Sequence, residues 1–257
     1  MTDQPPAPMP PAPTPPAIVL VNPQLGENIG MCARAMFNCG LADLRIVNPR
    51  DGWPSEKAVA ASSGALEKGV VARVYADTAA AVADCTYILA TTARPRDMVK
   101  EVLTPRAAGA ALRAAGGQCA VLFGAERTGL VNEDVALANA VVTIPLNPAF
   151  TSLNIAQAVL LVAYEWFTAG DSTAPAQLLC GDSDIAPAAE IATLVARLEG
   201  EMEAGGFFRS AELRPTLVRN LQALFARTRM TSQEASTFHG IISALIGLRT
   251  GPRQSGA

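Results

Sequence analysis

The sequence predicts an α/β fold, a parallel sheet with helices on both faces, followed by a small α-helical C-terminal extension. Three observations carry this. Between Ala17 and Gly170, short apolar segments alternate with helical ones in β-α-β-α order. The short segments are apolar throughout instead of alternating, as strands covered on both faces must be. Beyond Gly170 the strand-like segments stop, and a polar, Ala/Pro-containing stretch leads into helical sequence only.

Taken in order, Ala17 to Asn22 is a buried strand, and Asn28 to Cys39 a helix stopped by Gly40, a residue suited to the left-handed position after a helix. Leu44 to Val47 is a strand, Ser55 to Ala61 a short helix, Val70 to Val74 a strand, Thr78 to Ala83 a helix and Thr86 to Ala90 a strand. Thr104-Pro105 places a capping hydroxyl before a proline at the first helical position and opens a helix to about Ala115. Cys119 to Phe123 is a strand, Asn132 to Ala138 a short helix, Ala140 to Ile144 a strand, and Leu153 to Thr168 a long helix ending at Gly170. Three helices follow, Pro187 to Ala204, Leu213 to Ala226, and one opened by Thr231-Ser232-Gln233-Glu234, whose spacing fits a capping box. The chain therefore divides into a Pro-rich tail over 1–16, expected to be disordered and holding eight of the 19 prolines, an α/β domain over 17–170, a linker over 171–186 and a helical extension over 187–257.

Composition narrows the function. Half of the 257 residues are hydrophobic and mean hydropathy is +0.24, enough for a sizeable core. No apolar run approaches the ~18 residues of a membrane span, so no membrane partner is expected. Met1 to Pro16 lacks a basic stretch followed by an apolar one, so no signal peptide is expected and the expected compartment is the cytoplasm. Five cysteines without CxxC spacing argue against a disulfide framework or a zinc site, and a single histidine, His239, all but removes histidine-based catalysis. The net charge of −3 means that any nucleic-acid contact needs a local basic patch. One candidate is the stretch holding Arg209, Arg214, Arg219, Arg227 and Arg229 against Glu212 alone; Arg94, Arg96 and Lys100 form a second. There is no GxGxxG after the first strand, no P-loop (Gly64 to Gly69 is followed by Val70), no HExxH and no GxSxG.

Three segments remain, each just after a predicted strand, where α/β sheets place their ligands. They are Asn28-Ile-Gly-Met-Cys-Ala-Arg34-Ala-Met-Phe-Asn38-Cys-Gly40, Val121-Leu-Phe-Gly124-Ala-Glu126-Arg-Thr-Gly129-Leu-Val-Asn132-Glu133, and Ile144-Pro145-Leu-Asn-Pro148-Ala-Phe-Thr151-Ser152-Leu153-Asn154-Ile-Ala-Gln157-Ala. Singly, each has a plain structural explanation: Arg34 as a solvated helix residue, Glu126 as a carboxylate at a helix start, Ser152 as an N-cap. Cys32 and Cys39 read as packing residues and His239 as structural.

Together, in this order and spacing, the segments resemble the three motifs of the SPOUT RNA 2′-O-methyltransferases (the TrmH family), over about Ile18 to Phe167. The tail from Leu213 to Leu248, with Leu-Phe-Ala-Arg-Thr and His-Gly-Ile-Ile, is similar to the helical extension of the TrmJ-type tRNA enzymes of that family. The resemblance implies a SPOUT-type sheet with a deep trefoil knot toward its C-terminal end, S-adenosyl-L-methionine as cofactor, an obligate homodimer, and a tRNA substrate methylated on the ribose of the pyrimidine at position 32. It implies no metal. Residue by residue, it implies catalytic roles for Arg34 near the target ribose, Asn28 fixing the loop, Glu126 organising the arginine or the knot, and Ser152 and Asn154 near the transferred methyl. Thr91, Thr92, Ala93, Gly124, Ile144, Thr151, Ser152 and Leu153 would bind the cofactor. The same chemistry on another RNA such as rRNA, or RNA binding without turnover, are the alternatives; a dehydrogenase is disfavoured by the missing glycine fingerprint.

Overall fold

The computed structural model of the chain describes residues 13–92 and 98–250. Most of the Pro-rich tail, Ala93, Arg94 and Arg96 lie outside the described residues. The chain forms two compact units, Met1–Thr173 and Ala174–Ala257.

The first unit is a seven-stranded parallel sheet in the order β3-β2-β1-β6-β4-β7-β5. Its strands are β1 (Ala17–Val21), β2 (Asp43–Val47), β3 (Val71–Tyr75), β4 (Tyr87–Thr91), β5 (Glu101–Leu103), β6 (Cys119–Phe123) and β7 (Ala140–Val142). Between them run α1 (Gly26–Asn38), α2 (Glu56–Ala61), α3 (Ala65–Lys68), α4 (Thr78–Ala81), α5 (Pro105–Ala114), α6 (Asn132–Ala136) and α7 (Ile155–Thr168). The two-residue period of a strand sends neighbouring side chains to opposite faces. Ile18, Leu20, Val121 and Phe123 accordingly pack with α1, α2, α5 and α7, whereas Ala17, Val19, Ala120 and Leu122 pack with α4 and α6. Both faces of β1 and β6 are fully covered, which is why their sequences are apolar throughout.

The expected elements are present, with two additions. The three-residue edge strand β5 and the single turn α3 were not expected; both are too short to show a period. Thr104 caps α5 as its sequence foretells, accepting from the Ala107 amide at 3.3 Å. The N-cap of α7, however, is Asn154 and not Ser152. Asn154 Oδ1 accepts from the Ala156 amide (2.8 Å), and its own amide donates to Gln157 Oε1 (3.3 Å), closing a box that Ser152 is two residues too early to make.

On the α4 side of β2 lies a buried charge. Arg45, 3% exposed, donates to Asp84 (2.5 and 2.9 Å), Asp43 (2.8 and 3.0 Å) and the Ala81 carbonyl (2.7 Å). The hydrogen bond from Arg45 lowers the Asp84 carboxyl to about 2.

The second unit comprises α8 (Ala188–Ala204), α9 (Arg214–Ala226) and α10 (Ser232–Thr250) around Leu194, Val195, Phe225, Met230, Ala235 and Ile242. The capping box at its last helix forms as the sequence indicates: the Glu234 amide donates to Thr231 Oγ1 (3.2 Å) and the Thr231 amide to Glu234 Oε2 (2.7 Å). His239 meets Arg197 through its ring and its carbonyl, both at 3.1 Å. Among the described residues, no helix is long and apolar enough to cross a membrane.

Candidate functional site

Strands β4, β6 and β7 end side by side at Thr91, Phe123 and Val142, and the chain beyond each end lines one cavity of about 380 Å³. That volume lies in the range that holds a nucleoside-sized ligand. Thr91, Thr92, Gly124, Ile144, Thr151, Ser152 and Leu153 all line it, so every expected cofactor residue within the described chain is gathered there. Sequence reasoning did not single out Leu130, Leu146 and Ala158 for the cofactor, although all three stand within the three motif segments. Leu130 is delivered by a tight hairpin in which the Gly129 amide donates to the Ala125 carbonyl at 2.8 Å. The hairpin folds against Gly124 so closely that a Cβ there would sit 2.1 Å from the Leu130 nitrogen and 2.2 Å from the Gly129 carbon. Glycine at 124 is thus required by backbone against backbone.

Thr91 Oγ1 donates to the Leu122 carbonyl (2.9 Å) and Thr143 Oγ1 to the Thr92 carbonyl (3.1 Å), tying the strand ends that form the cavity floor. Ser152 is exposed on the rim, and no hydrogen bond holds its hydroxyl among the described residues.

Glu126 lines the same cavity and joins the other two motifs to it. Its Oε1 accepts from Asn28 Nδ2 at 2.5 Å, and its Oε2 from the Gln24 amide at 3.0 Å. Asn28 Oδ1 in turn accepts from Asn154 Nδ2 at 3.2 Å. One line of side chains, Glu126-Asn28-Asn154, therefore links the loop after β6, the first turn of α1 and the N-terminus of α7. Asn28 is 5% exposed and serves both neighbours. Asn154 is committed on both sides, to Asn28 and to its own helix.

Arg34 stands apart from this line. The helix begins at Gly26, so Asn28 is already inside its first turn, and six further residues rotate Arg34 onto a different, exposed face. The guanidinium donates from Nη1 to Ser63 Oγ at 3.1 Å. Glu126 is bonded to the loop after β1 and to Asn28, and no hydrogen bond joins it to Arg34 among the described residues. Cys32 lies beneath, its thiol pushed up by burial and secondarily by the Glu126 carboxylate, which fits packing and not reactivity.

One residue of each basic patch is engaged within the protein. Lys100 donates its ammonium to the Ala136 carbonyl (3.1 Å) and to that of Ala138, closing the end of α6. Arg214 pairs with Glu199 (2.6 Å) and Glu203 (2.8 Å) and lies 5.3 Å from the Phe208 ring, so its charge is largely neutralised within its own unit.

Comparison with known proteins gives a consistent result. A model of the SpoU rRNA methylase family matches residues 15–164. The tRNA (cytidine/uridine-2′-O-)-methyltransferase TrmJ of Sodalis glossinidius is 36% identical over 236 residues, covering 89% of this chain and 90% of that protein. The crystal structure of TrmJ from Z. mobilis ZM4 superposes with a TM-score of 0.77 at 45% identity, over 90% of this chain and 99% of the other. A probable methylase family protein from Haemophilus influenzae Rd KW20 follows at a TM-score of 0.56 and 30% identity, over 91% and 96%.

Proposed function

The chain belongs to the SpoU rRNA methylase family, and on that premise we propose that it transfers a methyl group from S-adenosylmethionine to a ribose 2′-hydroxyl of tRNA, at the pyrimidine of position 32. The observation that carries the proposal is Glu126. It belongs at once to the wall of a cofactor-sized cavity and to the Asn28-Asn154 line that fixes the start of the helix bearing Arg34.

The residues fit the cofactor. The loop after β6 brings backbone close to the cavity at Gly124, while Leu130, Ile144 and Leu146 supply apolar walls and Thr91, Thr92 and Thr151 a polar edge. Bound there, S-adenosylmethionine supplies a methyl already activated on a sulfonium, so the protein's task is to position and stabilise. A guanidinium is a poor base, so removing the ribose proton is not the role given to Arg34. It holds the adjacent phosphate and stabilises the developing alkoxide, a charge that grows in the transition state. Ser152, exposed on the rim with no hydrogen bond to its hydroxyl among the described residues, contacts substrate directly. Asn28, Glu126 and Asn154 act behind them: with their polar atoms bonded to one another, they keep the rim in register.

The homodimer and the trefoil knot belong to the same proposal. In support of the dimer, α1 and α7 expose Met31, Phe37, Leu160, Leu161, Tyr164 and Phe167, more apolar surface than a helix facing water normally carries. In support of the knot, the chain leaves β4 for the far edge at β5, returns inward to β6 and then inserts β7 between β4 and β5.

The test is methyl transfer from labelled cofactor into unmodified total tRNA, with nucleoside mapping, for the wild type and Arg34→Ala. A 2′-O-methylpyrimidine at position 32 that the variant loses by about a hundredfold or more supports the reading. Cofactor binding with no incorporation into tRNA would move the substrate to another RNA such as rRNA, and equal rates in both proteins would remove Arg34 from the reaction.

A further inference from the structure

We propose that Ser63 is a positioning residue for Arg34, holding the guanidinium where the ribose must meet it. This rests on the reading of Arg34 given above. Three observations on separate parts of the chain converge on it.

The first is backbone conformation. Ser63 has φ of +50°, followed by Gly64 at +86°, in the turn that joins α2 to α3. A side chain is strained in this region, and glycine or asparagine would be favoured there. A serine at such a position points to use of its hydroxyl.

The second is the partner. The hydroxyl is exposed, and its oxygen accepts from Arg34 Nη1 at 3.1 Å. Among the described residues this is the one hydrogen bond made by either side chain, and no carboxylate competes for the guanidinium. One of the five guanidinium donors is used, which tethers one edge of the group and leaves the rest for phosphate and ribose oxygens. The serine proton remains to donate outward to the same substrate.

The third is how rigidly the two are held. A Cβ on Gly30 would lie 2.1 Å from the Ala58 carbonyl oxygen and 2.9 Å from Ala61 Cβ, and one on Gly26 2.3 Å from Ser55 Oγ. The helices α1 and α2 therefore meet at backbone distance, and the turn carrying Ser63 follows α2 directly. Ser62, fully buried, anchors that turn by donating to the Val59 carbonyl at 2.8 Å.

Two substitutions separate the hydroxyl from the backbone. Ser63→Gly removes the acceptor and relaxes the turn. Ser63→Asn also relaxes it, since asparagine tolerates positive φ, and supplies an amide oxygen as acceptor. With the full-length protein and unmodified tRNA, Ser63→Gly is expected to lower kcat by about tenfold, the scale set by misplacing a reacting group, with KM for tRNA and cofactor affinity within about twofold. The melting temperature should hold or rise, and Ser63→Asn should recover most of the rate. A wild-type kcat in Ser63→Gly, or equal damage in both variants, overturns the proposal. Arg34→Ala in the same assay separates the two levels. If it is inactive while Ser63→Gly is normal, only the positioning role falls. If Arg34→Ala is itself normal, the reading beneath falls and takes this proposal with it.

Discussion

At the scale of single residues, the site is a matter of who accepts and who donates. Asn28 is placed so that its amide nitrogen meets a carboxylate and its oxygen meets another amide, a polarity that no other side chain of its size reproduces at neutral pH. Asn28→Asp puts a second carboxylate 2.5 Å from Glu126, and two such groups cannot both ionise cheaply. The variant is expected to lose about 1–3 kcal/mol of stability at pH 8 and to recover part of it near pH 5, where the pair shares a proton whose O–H replaces the lost donor. Chemical denaturation at the two pH values checks this; an equal loss at both would mean that the donor, not the charge, is what matters. Much of this arrangement was open to sequence reasoning, because Asn28, Glu126 and Asn154 stand in recognisable motifs. Their mutual bonding was not, since nothing in a linear spacing of 98 or 126 residues says which atoms meet. Nor could the sequence reveal that Lys100 and Arg214 are engaged within the protein, because their partners are a helix end and two glutamates on the preceding helix, α8.

At the scale of elements, the strands were legible wherever burial on both faces left a continuous apolar run. Cys119–Phe123 is a strand residue for residue as its sequence indicates. The misses have physical causes. Strand β5 is three residues long and carries an exposed Glu101 and Val102, so it shows neither length nor pattern. Arg45 is the reverse case, a charge in the middle of an apolar strand that the run of neighbours outvotes; it is tolerated because two carboxylates and a carbonyl satisfy it. This pairing sets a pH dependence. Arg45 depresses the Asp84 carboxyl from its ordinary 3.8 to about 2. A depressed carboxyl contributes stability that is fully present above the unfolded value and is lost as pH falls through the folded one, here between about 4 and 2. Asp84 is 61% exposed, so solvent screening reduces the contribution to about 1 kcal/mol. Asp84→Asn should therefore be less stable than wild type by that amount at pH 6, and urea titrations of the two proteins should converge near pH 2. A gap that persists at pH 2 would place the effect in packing around Cys85 instead.

At the scale of the whole molecule, each of the two units has its own buried apolar cluster, and every residue lining the proposed cofactor cavity lies between Thr91 and Ala158 in the first. Calorimetry of the full chain is expected to resolve two transitions, with S-adenosylmethionine raising only that of the α/β unit. Ligand at about a hundred times its Kd adds roughly 2.7 kcal/mol to the state that binds it. A ligand-induced shift of the other transition alone would mean that the cofactor site is elsewhere. The side-chain line Glu126-Asn28-Asn154 carries a consequence for how this protein is made. Its first member to leave the ribosome is Asn28 and its last is Asn154, separated by 126 positions. A nascent chain long enough to have laid down β1, β2 and β3 still lacks both of its partners, and one that stops after β6 has neither a roof for the cavity nor a cap for α7. A truncated product that ends before Asn154 would therefore hold most of the sheet with the proposed cofactor cavity still incomplete.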